Sequence, residues 1–315
     1  MRNLRIVFMG TPEFAVATLD MLVQNSYKVV GVITAPDKPA GRGRKIHESS
    51  VKQYAKKAGL YIMQPTNLKN KEFLDDLRGL KANLQIVVAF RMLPKQVWSM
   101  PEYGTFNLHA SLLPDYRGAA PINWAIINGE KKTGVTTFFI DEKIDTGELI
   151  LQEATEIKPE DTAGDLHDNL MALGAELVLK TVLLIENNQV VTQKQPLDSK
   201  FKTADKINKE ICKINWEKSA EKIYNHIRGL SPFPGAWSIL NNDEELIVIK
   251  IYKAKWEKEK HNFKPGTIHF TKKELKVASS GGYVYLTELQ LPGKRKMAII
   301  DVLNGLKIKE SAYLI

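Results

Sequence analysis

Asn107 and His109 stand two residues apart in Gly104-Thr105-Phe106-Asn107-Leu108-His109, an apolar run that reads as a strand. Alternate residues of a strand share a face, so the amide and the imidazole point the same way. A neutral imidazole takes up a proton near pH 7, and an amide N–H stabilises a developing oxyanion. The pair therefore suits attack of an amine on an acyl carbon. Taken alone, it also fits a hydrogen-bonded structural couple near a strand end. Asp145 follows the apolar run ending at Ile140, within Asp141-Glu142-Lys143-Ile144-Asp145-Thr146-Gly147-Glu148. A carboxylate there can reach the same cleft, orient the histidine and stabilise its charged form. Asp-Thr-Gly is equally an ordinary turn sequence.

The elements that must position these residues alternate along the first half of the chain. Strands are expected at 4–9, 29–33, 60–63, 84–89, 104–109 and 134–140, with helices at 14–23 and 50–58 between them. Such alternation predicts an α/β fold: a doubly wound, mostly parallel, Rossmann-like sheet whose ligands gather beyond the carboxyl ends of the strands. A helix over 165–187 follows, with Thr162 and Asp165 at capping-box spacing and Leu166, Leu170, Leu173 and Leu177 along one face. Residues 190–206 are polar and aperiodic and read as a linker. Beyond them a helix at 219–228 ends at Ser231-Pro232-Phe233-Pro234-Gly235. Strands at 236–240, 246–256, 266–270, 275–278 and 283–290 then predict a small β-barrel of oligonucleotide-binding-like type. The expected division is 1–189, 190–206 and 207–315.

Composition narrows the chemistry. The 315 residues carry a net charge of +9, and residues 201–315 hold 21 of the 45 basic but only 13 of the 36 acidic side chains. A basic last third attracts polyanions, which makes a nucleic acid partner plausible; a Lys-rich surface that binds nothing in particular is the plainer reading. The turn Gly10-Thr11-Pro12-Glu13 lacks the Gly-x-Gly-x-x-Gly pattern, and no phosphate-binding Gly-x-x-x-x-Gly-Lys-Ser/Thr loop occurs. No histidine pair has metal-ligand spacing, so no metal is expected. The single cysteine, Cys212, fits a reducing cytoplasm. No apolar run approaches the roughly 18 residues of a membrane span, so no membrane partner is expected, and a monomer is anticipated.

Asn107-x-His109, Ser111-Leu112-Leu113-Pro114 and Asp145-Thr146-Gly147 together resemble the signature of the 10-formyltetrahydrofolate-dependent formyltransferases. Three further segments extend the resemblance over both domains, toward members whose acceptor is initiator methionyl-tRNA. They are Pro36-Asp37-Lys38-Pro39-Ala40-Gly41-Arg42-Gly43-Arg44-Lys45, Asp115-Tyr116-Arg117-Gly118-Ala119-Ala120-Pro121-Ile122, and Arg228-Gly229-Leu230-Ser231-Pro232-Phe233-Pro234-Gly235-Ala236-Trp237.

The resemblance implies that the first domain binds 10-formyltetrahydrofolate as co-substrate and formylates the α-amino group of the esterified methionine. It makes His109 the proton acceptor and shuttle, Asn107 the oxyanion donor and Asp145 the partner that orients His109. It also implies folate contacts from Ser111, Leu112, Leu113 and Pro114, and a pterin pocket at Phe90, Met92 and Leu93. Many members have glycine after the aromatic residue, where this chain has Arg91. Lys38, Arg42, Arg44 and Lys45 form a basic, glycine-spaced finger that matches an insertion contacting the tRNA acceptor end, and the basic barrel supplies backbone contacts. Two alternatives keep other outcomes open: a formyltransferase with a small amine acceptor, such as an amino sugar or a purine precursor, and a non-catalytic RNA-binding protein.

Overall fold

The structure is a computed structural model describing residues 1–40, 45–196, 200–243 and 245–315, without the side chains of 39, 40, 45 and 46. Arg42 and Arg44 of the expected finger lie outside the described residues, as does the Lys45 side chain. The chain forms two compact units. The first comprises 1–118, 133–155 and 167–203, and the second 119–132, 156–166 and 204–315.

Along the chain come β1 (Ile6–Gly10), α1 (Glu13–Gln24), β2 (Val29–Ile33), β3 (Lys38–Ala40), β4 (Lys45–His47), α2 (Ser50–Lys57), β5 (Ile62–Met63) and α3 (Lys71–Gly79). Next are β6 (Leu84–Val88), α4 (Lys95–Trp98), β7 (Thr105–His109), β8 (Arg117–Gly118), α5 (Pro121–Ile127), β9 (Lys132–Phe139), β10 (Leu149–Glu156) and α6 (Ala163–Glu186). The main sheet of the first unit has the order β10-β9-β7-β6-β1-β2-β5. The pairs β5/β2, β2/β1, β1/β6 and β6/β7 are parallel, and β7/β9 is antiparallel.

Every residue of β1 and β6 is buried, as expected of strands covered on both faces. On one side Phe14, Ala15, Leu19 and Leu22 of α1 turn inward at helical spacing. Elsewhere Phe73, Leu74 and Leu77 of α3 join Val7, Met9 and Val87 in a core cluster. The chain runs from β1 outward through β2, then returns to β6 on the other side of β1. This reversal creates a crevice at the carboxyl ends of β1 and β6, with the end of β7 next to it.

The remaining elements are β11 (Thr203–Ala204), α7 (Ala220–Gly229), β12 (Ala236–Asn242), β13 (Glu245–Glu257), β14 (Ile268–Phe270), β15 (Leu275–Ser279), β16 (Gly282–Gln290), β17 (Lys296–Ala298), α8 (Ile299–Gly305) and β18 (Tyr313–Leu314). In the second unit the sheet has the order β14-β15-β16-β13-β12-β18, with β17 added to β16. Leu314 N–H donates to Gly266 O at 2.8 Å and Thr267 bridges Tyr313, so the two ends of the sheet meet and the barrel nearly closes. Its interior is aliphatic, with Ile249, Ile251, Val277, Val284 and Leu286 buried against Ile223 and Ile227 of α7.

Local sequence explains several helix starts. Ser49, Asn70 and Ser219 accept hydrogen bonds from the first turns of α2, α3 and α7. Before α6, Thr162 and Asp165 bond reciprocally: Asp165 N–H to Thr162 Oγ1 at 3.2 Å and Thr162 N–H to Asp165 Oδ2 at 2.9 Å.

One buried group links the second unit to pH. Burial, reinforced by the Lys218 charge, pushes His226 down to about 4, against a weaker opposing hydrogen bond to the Cys212 backbone. The unfolded chain binds this proton more readily, so stability is complete above the ordinary imidazole value of 6.5 and falls as pH drops from there toward 4. The shift corresponds to about 3 kcal/mol. Urea unfolding followed by barrel tryptophan fluorescence should lose stability in that window, and His226→Gln should flatten the loss.

Candidate active site

β7 presents two different faces. Leu108 packs toward α6, where a Cβ on Gly174 would lie 2.7 Å from its Cδ2. Asn107 and His109 alternate with the buried Phe106 and Leu108, so they share the opposite face, at the carboxyl end. Asn107 is half-buried, and His109 is only 6% exposed.

The His109 ring is fixed by Nε2, which lies 2.8 Å from Tyr116 O. A carbonyl can only accept, so Nε2 carries the proton and the neutral ring keeps its lone pair on Nδ1. Nδ1 faces Asp145 Oδ2 at 3.9 Å, within ion-pair range but too long for a hydrogen bond. The Asp145 carboxylate is itself held by Gly118 N–H, which donates to Oδ2 at 3.0 Å. The nitrogen free to take a proton thus faces an anion already fixed in place.

Asp145 lies in the turn between β9 and β10 with φ of 55°. Thr146 Oγ1 and Lys143 N–H both donate to Asp141, tightening that turn. Gln195 then ties it down: its Nε2 donates to Asp145 O at 3.0 Å and Gly147 O at 2.8 Å, while its Oε1 accepts from Arg117. Gln195 is buried, although it falls in the stretch expected to be a linker.

Gly147 approaches strand β9 so closely that a Cβ would lie 1.6 Å from Phe139 O. Gly147→Ala should therefore cost at least about 3 kcal/mol by thermal or urea unfolding. Gly79→Ala, where nothing lies within 4 Å of the added carbon, should be neutral or mildly stabilising.

The expected folate residues divide by position. Ser111 is fully buried and donates to Asp115 O at 2.7 Å. Thr136 Oγ1 donates to Ser111 O at 2.6 Å and accepts from Leu113 N–H and from Gln152, whose amide also donates to Leu113 O. These bonds fix the segment Ser111-Leu112-Leu113-Pro114, with Leu113 buried and Leu112 and Pro114 half-exposed.

Val88 pairs with Leu108, so the loops after β6 and β7 emerge side by side. In the first of these loops Met92 is 72% exposed, while Leu93, at 8%, joins the core with Val97 and Phe73. Phe90 packs partly against that core. Arg91 folds back, donating to Thr66 O at 2.9 Å and to Pro65 O, with its guanidinium 5.7 Å from the Phe90 ring centre. The residue that departs from the aromatic-Gly pattern thus braces the loop from outside.

Lys38 is exposed on β3, which pairs antiparallel with β4. Asp37, next to it, accepts from Lys52 and from Gln64 at 2.8 Å. The hydrogen bond from Lys52 is the main cause that holds the Asp37 carboxyl below its usual range. Tyr116, Gly118, Arg117, Thr136, Gln152 and Gln195 support the site without having been singled out individually by the sequence. Of these, Tyr116, Arg117 and Gly118 fall inside a motif that was.

A carboxylate, an imidazole and an amide thus stand together at the end of β7, beside an apolar loop, an arrangement suited to acyl transfer. The chain belongs to the formyl transferase family: residues 4–182 match the Formyl transferase domain, and residues 206–307 match the family's C-terminal domain. It is 58% identical to the methionyl-tRNA formyltransferase of Flavobacterium johnsoniae over 312 residues, covering 99% of each chain. It is 51% identical to the methionyl-tRNA formyltransferase of Parabacteroides distasonis, covering 97% of this chain and 96% of that one. Among solved structures, the fold resembles an N-formyltransferase from Helicobacter canadensis in complex with folinic acid and dTDP-3-aminofucose. That match has a TM-score of 0.64 and 23% identity, and covers 93% of this chain and 100% of that chain. Among the described residues no group of acidic, histidine or cysteine side chains could hold a metal ion, and no helix is long and apolar enough to cross a membrane.

Proposed function

We propose that this protein transfers a formyl group from 10-formyltetrahydrofolate to the α-amino group of methionyl initiator tRNA in the cytoplasm, acting as a monomer without a metal. The observation that carries the reading is the convergence of Asn107, His109 and Asp145 at one strand end, with the unprotonated His109 nitrogen facing a fixed carboxylate. Full-length identity to named methionyl-tRNA formyltransferases supports the tRNA acceptor over a small amine.

The chain fits a folate. Side-by-side loops after β6 and β7 offer Phe90 and Met92 as an apolar wall and the pinned Ser111-Leu112-Leu113-Pro114 segment as a second one. Leu93 contributes by holding the loop to the core. When bound, the folate supplies an acyl carbon attached to a nitrogen that can leave once it is protonated. Asn107 donates to the formyl oxygen as charge develops there. His109 Nδ1 takes the proton from the attacking amine, the new cation is stabilised by Asp145, and the same proton then passes to the departing nitrogen. Tyr116 O keeps the ring from turning meanwhile. One N–C bond forms, one breaks, and one proton moves between the two nitrogens.

In this reading residues 1–189 carry the chemistry, 190–206 connect, and 207–315 bind tRNA. Lys38, Arg42, Arg44 and Lys45 meet the acceptor end, and exposed Lys294 and Arg295 add salt-sensitive backbone contacts. Arg42→Ala should lower kcat/KM for charged tRNA about tenfold, the worth of one charge-assisted hydrogen bond, without changing the KM for the folate. An unchanged rate at subsaturating tRNA would remove Arg42 from recognition. The reading as a whole is tested by offering charged initiator tRNA, free methionine and an amino sugar nucleotide in parallel with a labelled formyl donor. Label should enter the tRNA alone, and label in a small acceptor alone would select the alternative.

A further inference from the structure

Gln195 sits in a polar stretch with no chemistry of its own, yet it is only 7% exposed. Backbone pairing sets its place. Gln193 and Leu149 exchange N–H···O bonds of 2.9 and 2.8 Å as an antiparallel bridge. Two residues further along one segment therefore lie beside two residues back along the other, which brings Gln195 to Gly147. There both ends of the amide have their orientation dictated. A guanidinium only donates, so Oε1 is the atom facing Arg117 Nη2 at 2.6 Å and Nε at 3.2 Å. Carbonyls only accept, so Nε2 is the atom facing Asp145 O at 3.0 Å and Gly147 O at 2.8 Å.

The two segments joined in this way are the ones that hold His109 and Asp145. Arg117 lies between Tyr116, whose carbonyl accepts from His109 Nε2, and Gly118, whose N–H donates to Asp145 Oδ2. On the other side is the turn that carries Asp145 itself. Its φ of 55° falls in the left-handed region, which L-residues occupy where neighbouring groups hold them there. The same stretch supports the Arg117 segment a second time. Lys202 O accepts from Tyr116 N–H at 2.6 Å, Lys202 N–H donates to Asp115 Oδ1 at 3.0 Å, and β11 pairs with β8.

The 3.9 Å between His109 Nδ1 and Asp145 Oδ2 thus depends on how these two segments are held against each other, and Gln195 fastens one to the other. We propose that Gln195 is a positioning residue for formyl transfer: by clamping Arg117 to the Asp145 turn it fixes the carboxylate against His109. The inference rests on the reading of His109 and Asp145 as catalytic, and extends it to a side chain that reaches the chemistry only through them. A displacement of about 1 Å in a reacting group costs on the order of 10²-fold in rate, so the clamp acts on turnover and leaves the binding of either substrate unchanged.

Gln195→Glu opens one side of the clamp. The carboxylate keeps the size and the bond from Arg117 but turns an acceptor toward the two carbonyls. Gln195→Leu releases both sides and provides a second, uncharged variant, with melting temperatures recorded for each. Both should lower kcat about tenfold or more, while the KM for 10-formyltetrahydrofolate and for charged initiator tRNA stays within about twofold of the original. The decisive measurement repeats Gln195→Glu in an Asp145→Asn background. Asp145→Asn alone should slow transfer at least about tenfold, and adding Gln195→Glu should then cost less than about twofold more, because residues that act as one unit are not additive. A purely structural role would multiply the two losses. Multiplied losses, an unchanged kcat in both Gln195 variants, or an effect confined to KM would overturn the clamp while leaving the catalytic reading in place. Full activity in Asp145→Asn would overturn the catalytic reading of Asp145, and the clamp with it.

Discussion

His109→Ala is expected to lower kcat for formyl transfer by about 10² to 10⁴-fold, the usual range for losing a positioned general base. His109 Nδ1 faces the Asp145 carboxylate at 3.9 Å, the place to which the proposed mechanism sends the amine proton. Because the ring is buried and bonded to Tyr116 O, its removal also opens a small cavity. His109→Gln separates the two effects: the amide keeps volume and a donor toward Tyr116 but cannot take a proton. Both variants should bind folate and tRNA nearly as the original does, by calorimetry and filter binding, while remaining inactive. Activity in His109→Gln within a few-fold of the original would make the ring structural.

The second large effect is expected at Asn107. Asn107→Ala should cost about 10² to 10³-fold in kcat, as for loss of one oxyanion donor, with little change in either KM. The side chain is half-buried on the face of β7 opposite the core, so its truncation should leave the fold stable. Asn107→Asp is the sharper variant, since it is nearly the same size but puts an acceptor where negative charge develops. It should be at least as inactive as the alanine. An active Asn107→Asp would move the oxyanion donor elsewhere.

The fold was readable where burial dictates composition. Strand β2 has the expected bounds of 29–33, and β7 begins one residue late, at Thr105, because both are apolar runs bounded by polar or glycine residues. β10 went unread for the opposite reason. After Leu149 and Ile150 its residues alternate between half-buried and exposed, and Gln152, Glu153 and Glu156 give it the look of a loop. α8 and β18 were missed because they are short and their packing is supplied by the barrel, with Ile299, Val302 and Leu314 buried in its core.

The site shows the same division. Asn107-x-His109 stands out because its spacing matches the strand period, and Asp145 because it follows the apolar run ending at Ile140, but the bonds by which Gln195 and Arg117 hold the Asp145 turn come from far along the chain. Tertiary bonds of that kind leave no periodic trace. Leu93 and Met92 are adjacent apolar residues in sequence, yet one is core and the other faces solvent. The loop backbone, not the residue type, separates them.

The most direct test of the proposed formyl transfer is the identity of the product. The unaltered chain would be incubated with 10-formyltetrahydrofolate and methionyl initiator tRNA, the ester hydrolysed, and the released amino acid weighed by mass spectrometry. The expected product is methionine heavier by one carbonyl group, on the α-nitrogen, with no such product when His109→Gln replaces the original. Unmodified methionine, released from tRNA that remained fully charged throughout the incubation, would contradict it.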